Sequence, residues 1–302
     1  MKITNEYELN PLLLKWLTRD EYDYQPGIYS ATTLLNPIRR TLLYERHWDE
    51  MVCDASDLIR PRFGDAWHAS MEKALKDEKN LELEKRLFGT LKVDDKEIKI
   101  SGKFDALETL EDGSLKLYDH KSTSVWKWIK EETEDWVFQL SVYRWLIAQN
   151  YGKVPNDIAE INFLFTDWQR KKARLEDNYP PVPAGSIEIK LKPLDKIENE
   201  IRERIRELYA YADKKDDDLP FCTSKELWAE PDKYAVYSKG SNSCRKLCDT
   251  QEEAEQWAVK RNVKNPEIRF RKGKAKRCNY CYARPFCNQY RELKAEGLIA
   301  EE

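Results

Sequence analysis

The chain has 302 residues, 41% apolar and 35% charged, which is enough apolar material for one large core or two modest ones and excludes a disordered or fibrous protein. Its 52 Lys and Arg against 55 Asp and Glu leave a net charge of -3, so the whole surface is no nucleic-acid magnet and only local patches can serve. No apolar stretch approaches the ~20 residues of a membrane span and the opening MKITNEYELN has no signal-peptide apolar region, so the expectation is a soluble cytoplasmic protein without membrane contact.

The first forty residues, punctuated by Pro11, Pro26, Gly27 and Pro37, read as short helices and turns. A helix is expected over 38–48 and a second over 65–79, after a break at Pro61 and Gly64. Residues 86–93, 97–107 and 115–121 have strand character with Asp94-Asp95 and Asp112-Gly113 as turns, which makes an antiparallel meander. Trp136, Leu140, Tyr143 and Ile147 recur at helical spacing within 127–150, and the apolar run 158–166 reads as a central strand. Past a Pro-rich link at 180–183 come a strand at 187–191 and an amphipathic helix at 194–212. Asp216 to Pro220 reads as a boundary between a core over 1–215 and a basic, cysteine-rich appendage over 216–302, expected to pack on that core and contact DNA. In the appendage, 233–239 and 243–248 fit a hairpin turning near Gly240, and Thr250 with Glu253 fits a capping box. Residues 260–277 hold nine Lys or Arg and one Glu. Such a run is usually a solvated face, but leading into a cysteine cluster it favours phosphate contact.

Asp105 falls in one predicted strand, and Asp119 and Lys121 fall at the end of the next. Neighbouring strands lie about 4.8 Å apart, so carboxylates in suitable register can share one or two divalent ions. Asp119 and Lys121 are two apart and share a sheet face, where a Lys can orient a water and oppose charge growing on a phosphate. Alone, Asp-x-Lys is weak evidence.

The surrounding residues narrow the choice. Gly64-Asp65-Ala66-Trp67-His68, Gly102-Lys103-Phe104-Asp105, Asp119-His120-Lys121-Ser122-Thr123 and Gln139-Leu140-Ser141-Val142-Tyr143 occur in that order. Together they resemble the nuclease superfamily named for its PD-(D/E)xK motif, in the exonuclease branch of bacterial helicase-nucleases, CRISPR-associated nucleases and phage recombination exonucleases. The resemblance implies a restriction-endonuclease-like α/β fold, a central mixed sheet flanked by helices. It also implies a metal-dependent DNA exonuclease of recombination, repair or phage DNA processing, in bacterial, archaeal or phage-infected cytoplasm. On this likeness His68, Asp105, Asp119 and the His120 backbone carbonyl hold Mg²⁺ or Mn²⁺, and Lys121 positions the attacking hydroxide. Gln139 and Tyr143 then touch the nucleic-acid backbone or a water beside the site. Glu72 stays open between orienting His68 or Lys121 and plain solvation.

The partner implied is linear DNA, single-stranded or with free ends, alongside a recombination or replication protein; the oligomeric state stays open. Arg170, Lys171, Lys172, Arg174 and the 260–277 run would grip phosphates, with Trp126, Trp128 and Trp168 as stacking surfaces. The rival readings are an endonuclease or RNA-directed nuclease of the same fold, and an inactive cysteine-metal DNA-binding protein.

Cys278-x2-Cys281-x5-Cys287 suits zinc or an iron–sulfur cluster. The resembling helicase-linked and CRISPR-associated nucleases bind a [4Fe–4S] cluster through such a triplet and a Cys just before the core, where residues 34–40 of this chain hold none. Cys222 is the candidate fourth ligand, with Cys244 and Cys248 as rivals. The expectation is a [4Fe–4S] cluster, with structural zinc as the alternative.

Overall fold

The computed structural model describes residues 1–19 and 27–301, so Pro26 lies outside the described residues. In chain order the elements are β1 (Lys2–Thr4), α1 (Pro11–Thr18), β2 (Ile28–Ser30), α2 (Ala31–Leu34), α3 (Ile38–His47), β3 (Val52–Asp54), α4 (Ile59–Leu75), β4 (Leu81–Val93), β5 (Lys96–Thr109) and β6 (Leu115–Thr123). There follow α5 (Val125–Lys130), α6 (Glu134–Tyr151), β7 (Ile158–Phe165), β8 (Ala184–Lys190), α7 (Leu194–Tyr211), β9 (Lys233–Ser238), β10 (Lys246–Cys248), α8 (Gln251–Lys260), β11 (Pro266–Arg271) and α9 (Asn288–Ala295). Two compact units divide them: Lys2–Asn36 with Val52–Tyr211, and Met1 with Pro37–Met51 and Ala212–Glu302.

The first unit is an α/β restriction-endonuclease-like core. Its six-stranded sheet runs β2-β5-β6-β7-β8, with β4 on the remaining edge of β5. β4, β5 and β6 form the expected antiparallel meander, β7 joins β6 in parallel, and β8 closes antiparallel on β7. Strand β7 alternates partly and fully buried positions, with Ala159, Ile161, Phe163 and Phe165 in the core.

Three departures from the sequence pattern have physical causes. Helix α4 begins at Ile59 and runs through Pro61 and Gly64; a proline in the first turn forfeits no intrahelical bond, because that N–H has no partner there anyway. The helical stretch expected from 127 to 150 is two helices, parted at Glu131, which turns left-handed at φ 51°. Strand β4 starts at Leu81, five residues before the predicted start, because its Leu-Glu-Leu-Glu alternation continues the ladder with β5.

The pairing of β5 positions everything that follows. One edge is taken by β4 along nearly its whole length. The other edge pairs with β2 at Lys99–Ser101 and with β6 only from Ala106 to Thr109, so residues 102–105 form a gap between two partners. Helix α6 presses on this gap. A Cβ at Gly102 would lie 2.7 Å from both Tyr143 and Leu146, and one at Gly89 would lie 2.6 Å from Gln149 and 2.8 Å from Leu146. Both glycines are there because helix and strand backbones approach so closely.

The second unit contains the three-stranded antiparallel sheet β10-β9-β11. Helix α8 covers one face of it around Val236, Cys248, Ala254, Ala258 and Val263. The Thr250 cap forms as expected, its hydroxyl accepting from the Glu253 N–H at 3.1 Å. No distinct cysteine-rich appendage is identified, because the cysteine-bearing segment shares its unit with residues 37–51. Among the described residues, no helix is long and apolar enough to cross a membrane.

Gly102→Ala is expected to lower stability by about 1–3 kcal/mol, since its methyl must displace Tyr143 and Leu146 in a packed interface. Urea denaturation followed by circular dichroism measures this; an unchanged midpoint would contradict the close approach.

Candidate metal centre

Asp105 sits at the end of the β5 gap, where the ladder to β6 stops one pair short of joining Asp105 to Asp119. Its side chain substitutes for the missing strand contact: Oδ2 accepts the His120 backbone N–H at 2.6 Å. The other oxygen lies 3.5 Å from Nδ1 of His68, delivered by α4. The same imidazole nitrogen is 3.1 Å from Glu84 Oε1, and the second Glu84 oxygen is 2.5 Å from Lys103 Nζ. Ligand atoms of His68, Glu84 and Asp105 all lie within 4.8 Å of one another, the one such group among the described residues.

Glu84 was not foreseen. It stands between the pairs Leu83↔Ala106 and Lys85↔Phe104, opposite Asp105, yet makes no ladder pair itself and adopts φ 48°. A glutamate in that left-handed region is strained by about 1–3 kcal/mol, a cost met at functional sites. The two-residue turn at Asp94-Asp95 carried the signal. Counting back from that turn fixes the hairpin register and places Glu84 across from Asp105, but a strand begun at residue 86 stops short of it.

Asp119 is buried beside this group without being part of it. Its Oδ1 accepts from Lys121 Nζ at 3.0 Å, whereas Oδ2, 2.8 Å from the same nitrogen, lies outside hydrogen-bonding geometry and has no partner. Lys121 Nζ also reaches Gln139 Oε1 at 3.5 Å, and Gln139 Nε2 donates to the Tyr143 hydroxyl at 2.7 Å. His120 gives its backbone N–H to Asp105 and buries Nε2 unpartnered, its ring 6.5 Å from that of His68. Glu72 is exposed on the wall of the same cleft of about 630 Å³, which also presents Trp16, Arg62 and Arg86. The carboxylate that holds His68 is therefore Glu84. Of the predicted stacking residues, Trp126 is exposed, Trp128 packs edge-on against Phe163 and Phe165, and Trp168 donates to the Pro180 carbonyl.

Residues 39–288 match the profile of the PD-(D/E)XK nuclease superfamily. The chain belongs to that superfamily. Membership carries its general activity, metal-dependent nuclease chemistry. Among solved structures, SSO0001 is 21% identical with a TM-score of 0.49, covering 68% of this chain and 87% of its own. A phage-related exonuclease from Haemophilus somnus 129PT is 15% identical at TM-score 0.28, over 49% of this chain and 71% of its own. LHK-Exo in complex with dAMP is 14% identical at TM-score 0.32, over 62% and 90%. No curated protein matches the chain.

The donor set of this PD-(D/E)XK nuclease fits a hard divalent cation. Burial, then the neighbouring Asp119 charge, pushes the Asp105 carboxyl up from 3.8 to about 7. The Glu84 hydrogen bond raises His68 against the opposing effect of burial. Burial works against the Lys121 ammonium, yet Asp119 and Asp105 override it and hold the group charged. The crowded carboxylates leave Asp119 Oδ2 without a hydrogen-bond donor, and two carboxylates with one imidazole suit Mg²⁺ or Mn²⁺.

The cysteines require a correction. Cys222, Cys278, Cys281 and Cys287 all line one cavity, but its volume is about 40 Å³, room for roughly one water. No three of their sulfurs gather within 4.8 Å as ligand atoms. Burial pushes the Cys222 thiol up to about 12 and the Cys278 thiol to about 11 in the metal-free chain. Buried Cys248 belongs to the small core under α8, and Cys244 bonds the Lys246 carbonyl. The [4Fe–4S] cluster expected from the resemblance, and zinc in its place, are overturned because no three of these sulfurs converge.

Because the folded Asp105 value lies above the ordinary one, the metal-free protein is expected to lose stability as pH rises from about 4 to about 7. A cation must displace that proton, so affinity should rise through the same window and level off above it. Differential scanning fluorimetry with and without Mn²⁺ checks this. The Mn²⁺-induced rise in Tm should be small at pH 5.5, grow towards pH 7 to 7.5, and vanish in Asp105→Asn. A pH-independent rise would contradict it.

Proposed function

We propose that this chain is a divalent-metal-dependent DNA exonuclease that hydrolyses phosphodiester bonds in recombination, repair or phage DNA processing. The observation that carries the reading is the convergence of His68, Glu84 and Asp105 beside the Asp119–Lys121 pair, inside a cleft that also presents Arg62 and Arg86. The finer assignment to an exonuclease is supported by the order of the four sequence motifs, above all a helical His ahead of the carboxylate strands and the Gln139–Tyr143 helix behind them.

In this reading His68, Glu84, Asp105 and Asp119 hold the cation, with the His120 carbonyl as a further oxygen donor. A bound ion would supply positive charge against the negative charge that grows on the phosphate and leaving-group oxygens during in-line displacement. Lys121, fixed between Asp119 and Gln139, orients the attacking water and keeps its own proton, because both carboxylates favour the ammonium. Tyr143 anchors Gln139 and so limits the rotamers open to Lys121; burial, assisted by Asp119, raises its hydroxyl far above the usual range, so it serves as a neutral hydrogen-bonding group. Glu84 keeps the His68 ring oriented and is itself held by Lys103.

Degradation of end-labelled linear DNA in Mg²⁺ or Mn²⁺ is the test. Lys121→Ala and Asp119→Ala should each lower the rate by about 10²–10⁴-fold. Glu84→Gln should lower it by about 10–100-fold, whereas Glu72→Gln should stay near wild type. Undiminished cleavage by Asp119→Ala would remove the catalytic assignment. Covalently closed single-stranded DNA should survive, since an exonuclease needs an end; its degradation would favour an endonuclease.

A further inference from the structure

The basic run at 260–277 is dispersed in the fold. Lys272, Lys274 and Lys276 approach Glu296, Glu301 and Glu230, while Arg269 and Arg271 lie on β11. That strand belongs to a small module closed at its stem, where Gly273 N–H donates to Asp232 at 2.7 Å and Glu230 N–H donates to the Lys274 carbonyl at 3.0 Å. Only glycine fits at 273, because a Cβ there would run into the Glu230 carbonyl. The two chain segments at the stem are thus locked together, and the module holds its own core beneath α8.

Cross-strand pairing fixes what the opposite face presents. Arg269 stands opposite Ala235, Arg271 opposite Lys233, and Leu247 opposite Ala235 from the other side. Directly paired residues share a face, so Lys233, Arg269, Arg271 and Leu247 lie on the same face as Ala235 and as Tyr237, two residues further along β9. Arg245, two residues before Leu247, continues the row at the sheet edge and is exposed. Tyr237 is buried because the guanidinium groups lie over it, Arg269 at 4.4 Å from the ring centroid and Arg271 at 5.9 Å. Stacking of this kind holds the cations in place before any ligand arrives, which lowers the entropy lost on binding.

Glu267 pairs with Arg269 and Asp249 with Lys233. Arg245 and Arg271 have no ion-pair partner among the described residues. An excess of preorganised cations on a face where Arg245, Leu247, Arg269 and Arg271 are exposed around the buried Tyr237 complements a polyanion with regularly spaced charges and a solvated exterior.

We infer that the open face of the β10-β9-β11 sheet, carrying Lys233, Arg245, Arg269 and Arg271, binds the phosphodiester backbone of DNA without reading its sequence. This rests on the nuclease reading for the nature of the ligand, and it adds a second contact surface whose members Lys233 and Arg245 lie outside the basic run of the sequence.

The test measures binding of the full chain to fluorescein-labelled single-stranded and duplex oligonucleotides by anisotropy, in chelator, across a salt series. Cleavage in Mg²⁺ is assayed separately. Each lost phosphate contact should lower the slope of log K against log salt by about 0.9 for duplex and 0.7 for single strands. Arg269→Ala/Arg271→Ala should therefore lower it by about 1.4–1.8 and weaken binding about 10- to 30-fold at 0.15 M salt. Arg245→Glu/Arg271→Glu, which leaves the close Arg269–Tyr237 stack intact, provides a second reading if the first variant folds poorly. An unchanged slope in either folded variant overturns the inference. So does an equal loss in Lys272→Ala/Lys274→Ala, which would mean diffuse charge, or loss of poly-L-glutamate binding with DNA binding intact, which would mean an acidic polypeptide site. Absent cleavage with face-dependent binding retained would sink the nuclease reading alone.

Discussion

A β-strand can hydrogen-bond on only two edges, and β5 has three neighbours. β4 takes one edge, and β2 and β6 must share the other, which leaves residues 102–105 between them. Where the ladder is interrupted, backbone donors need other acceptors, and the Asp105 carboxylate meets that need for His120. The interruption thereby draws an acidic side chain into a buried position it would not otherwise occupy, opposite Asp119. Burial and like charge then destabilise the ionised form of Asp105, and the site stores electrostatic free energy that a cation relieves.

Close packing sustains the same arrangement. Gly102 and Gly89 let α6 approach the strands until Tyr143 and Leu146 touch backbone, and this approach carries Gln139 to within reach of Lys121. On the facing hairpin strand, Glu84 gives up its ladder pair to a left-handed conformation and bonds His68 instead. Strain at one residue and crowding at two glycines are thus linked to the same few cubic ångströms of chemistry. The Asp119–Lys121 pair is held more simply, by a salt bridge in which the buried Asp119 carboxylate cannot trade the half-buried lysine for water.

Much of this was legible because it is written in periodicity. The alternation of β4 to β6, the helical recurrence of Leu140, Tyr143 and Ile147, and the largely apolar β7 each follow from which face must be buried. What escaped the sequence lies where local rules yield to tertiary ones. Pro61 and Gly64 read as a break but sit in the opening turns of α4, and Glu84 occupies a conformation that no propensity favours. β11 was hidden by its charge, since Arg269 and Arg271 alternate with Ile268 and Phe270 in a run that reads as basic before it reads as extended.

The cysteines show the limit of spacing as evidence. A triplet at x2 and x5 brings three side chains near one another along the chain, but a metal site also needs deprotonated sulfur and converging ligand atoms. Here no three sulfurs converge, the cavity is small, and buried Arg39 spends its guanidinium on the Leu219 and Pro220 carbonyls, Asn288 and the Cys287 sulfur. Gln289 completes the packing by bonding both the N–H and the carbonyl of Cys222, each at 2.8 Å. These contacts join residues far apart in sequence through the charged Arg39 guanidinium and the neutral Gln289 amide, so side-chain hydrogen bonds to the backbone hold this part of the unit together. At the centre in the core unit the ligand atoms converge: the buried Asp105 and Asp119 carboxylates crowd each other, Asp119 Oδ2 has no donor, and His68, Glu84 and Asp105 point their ligand atoms at one another, which makes that site, and not the cysteine cavity, one for a cation.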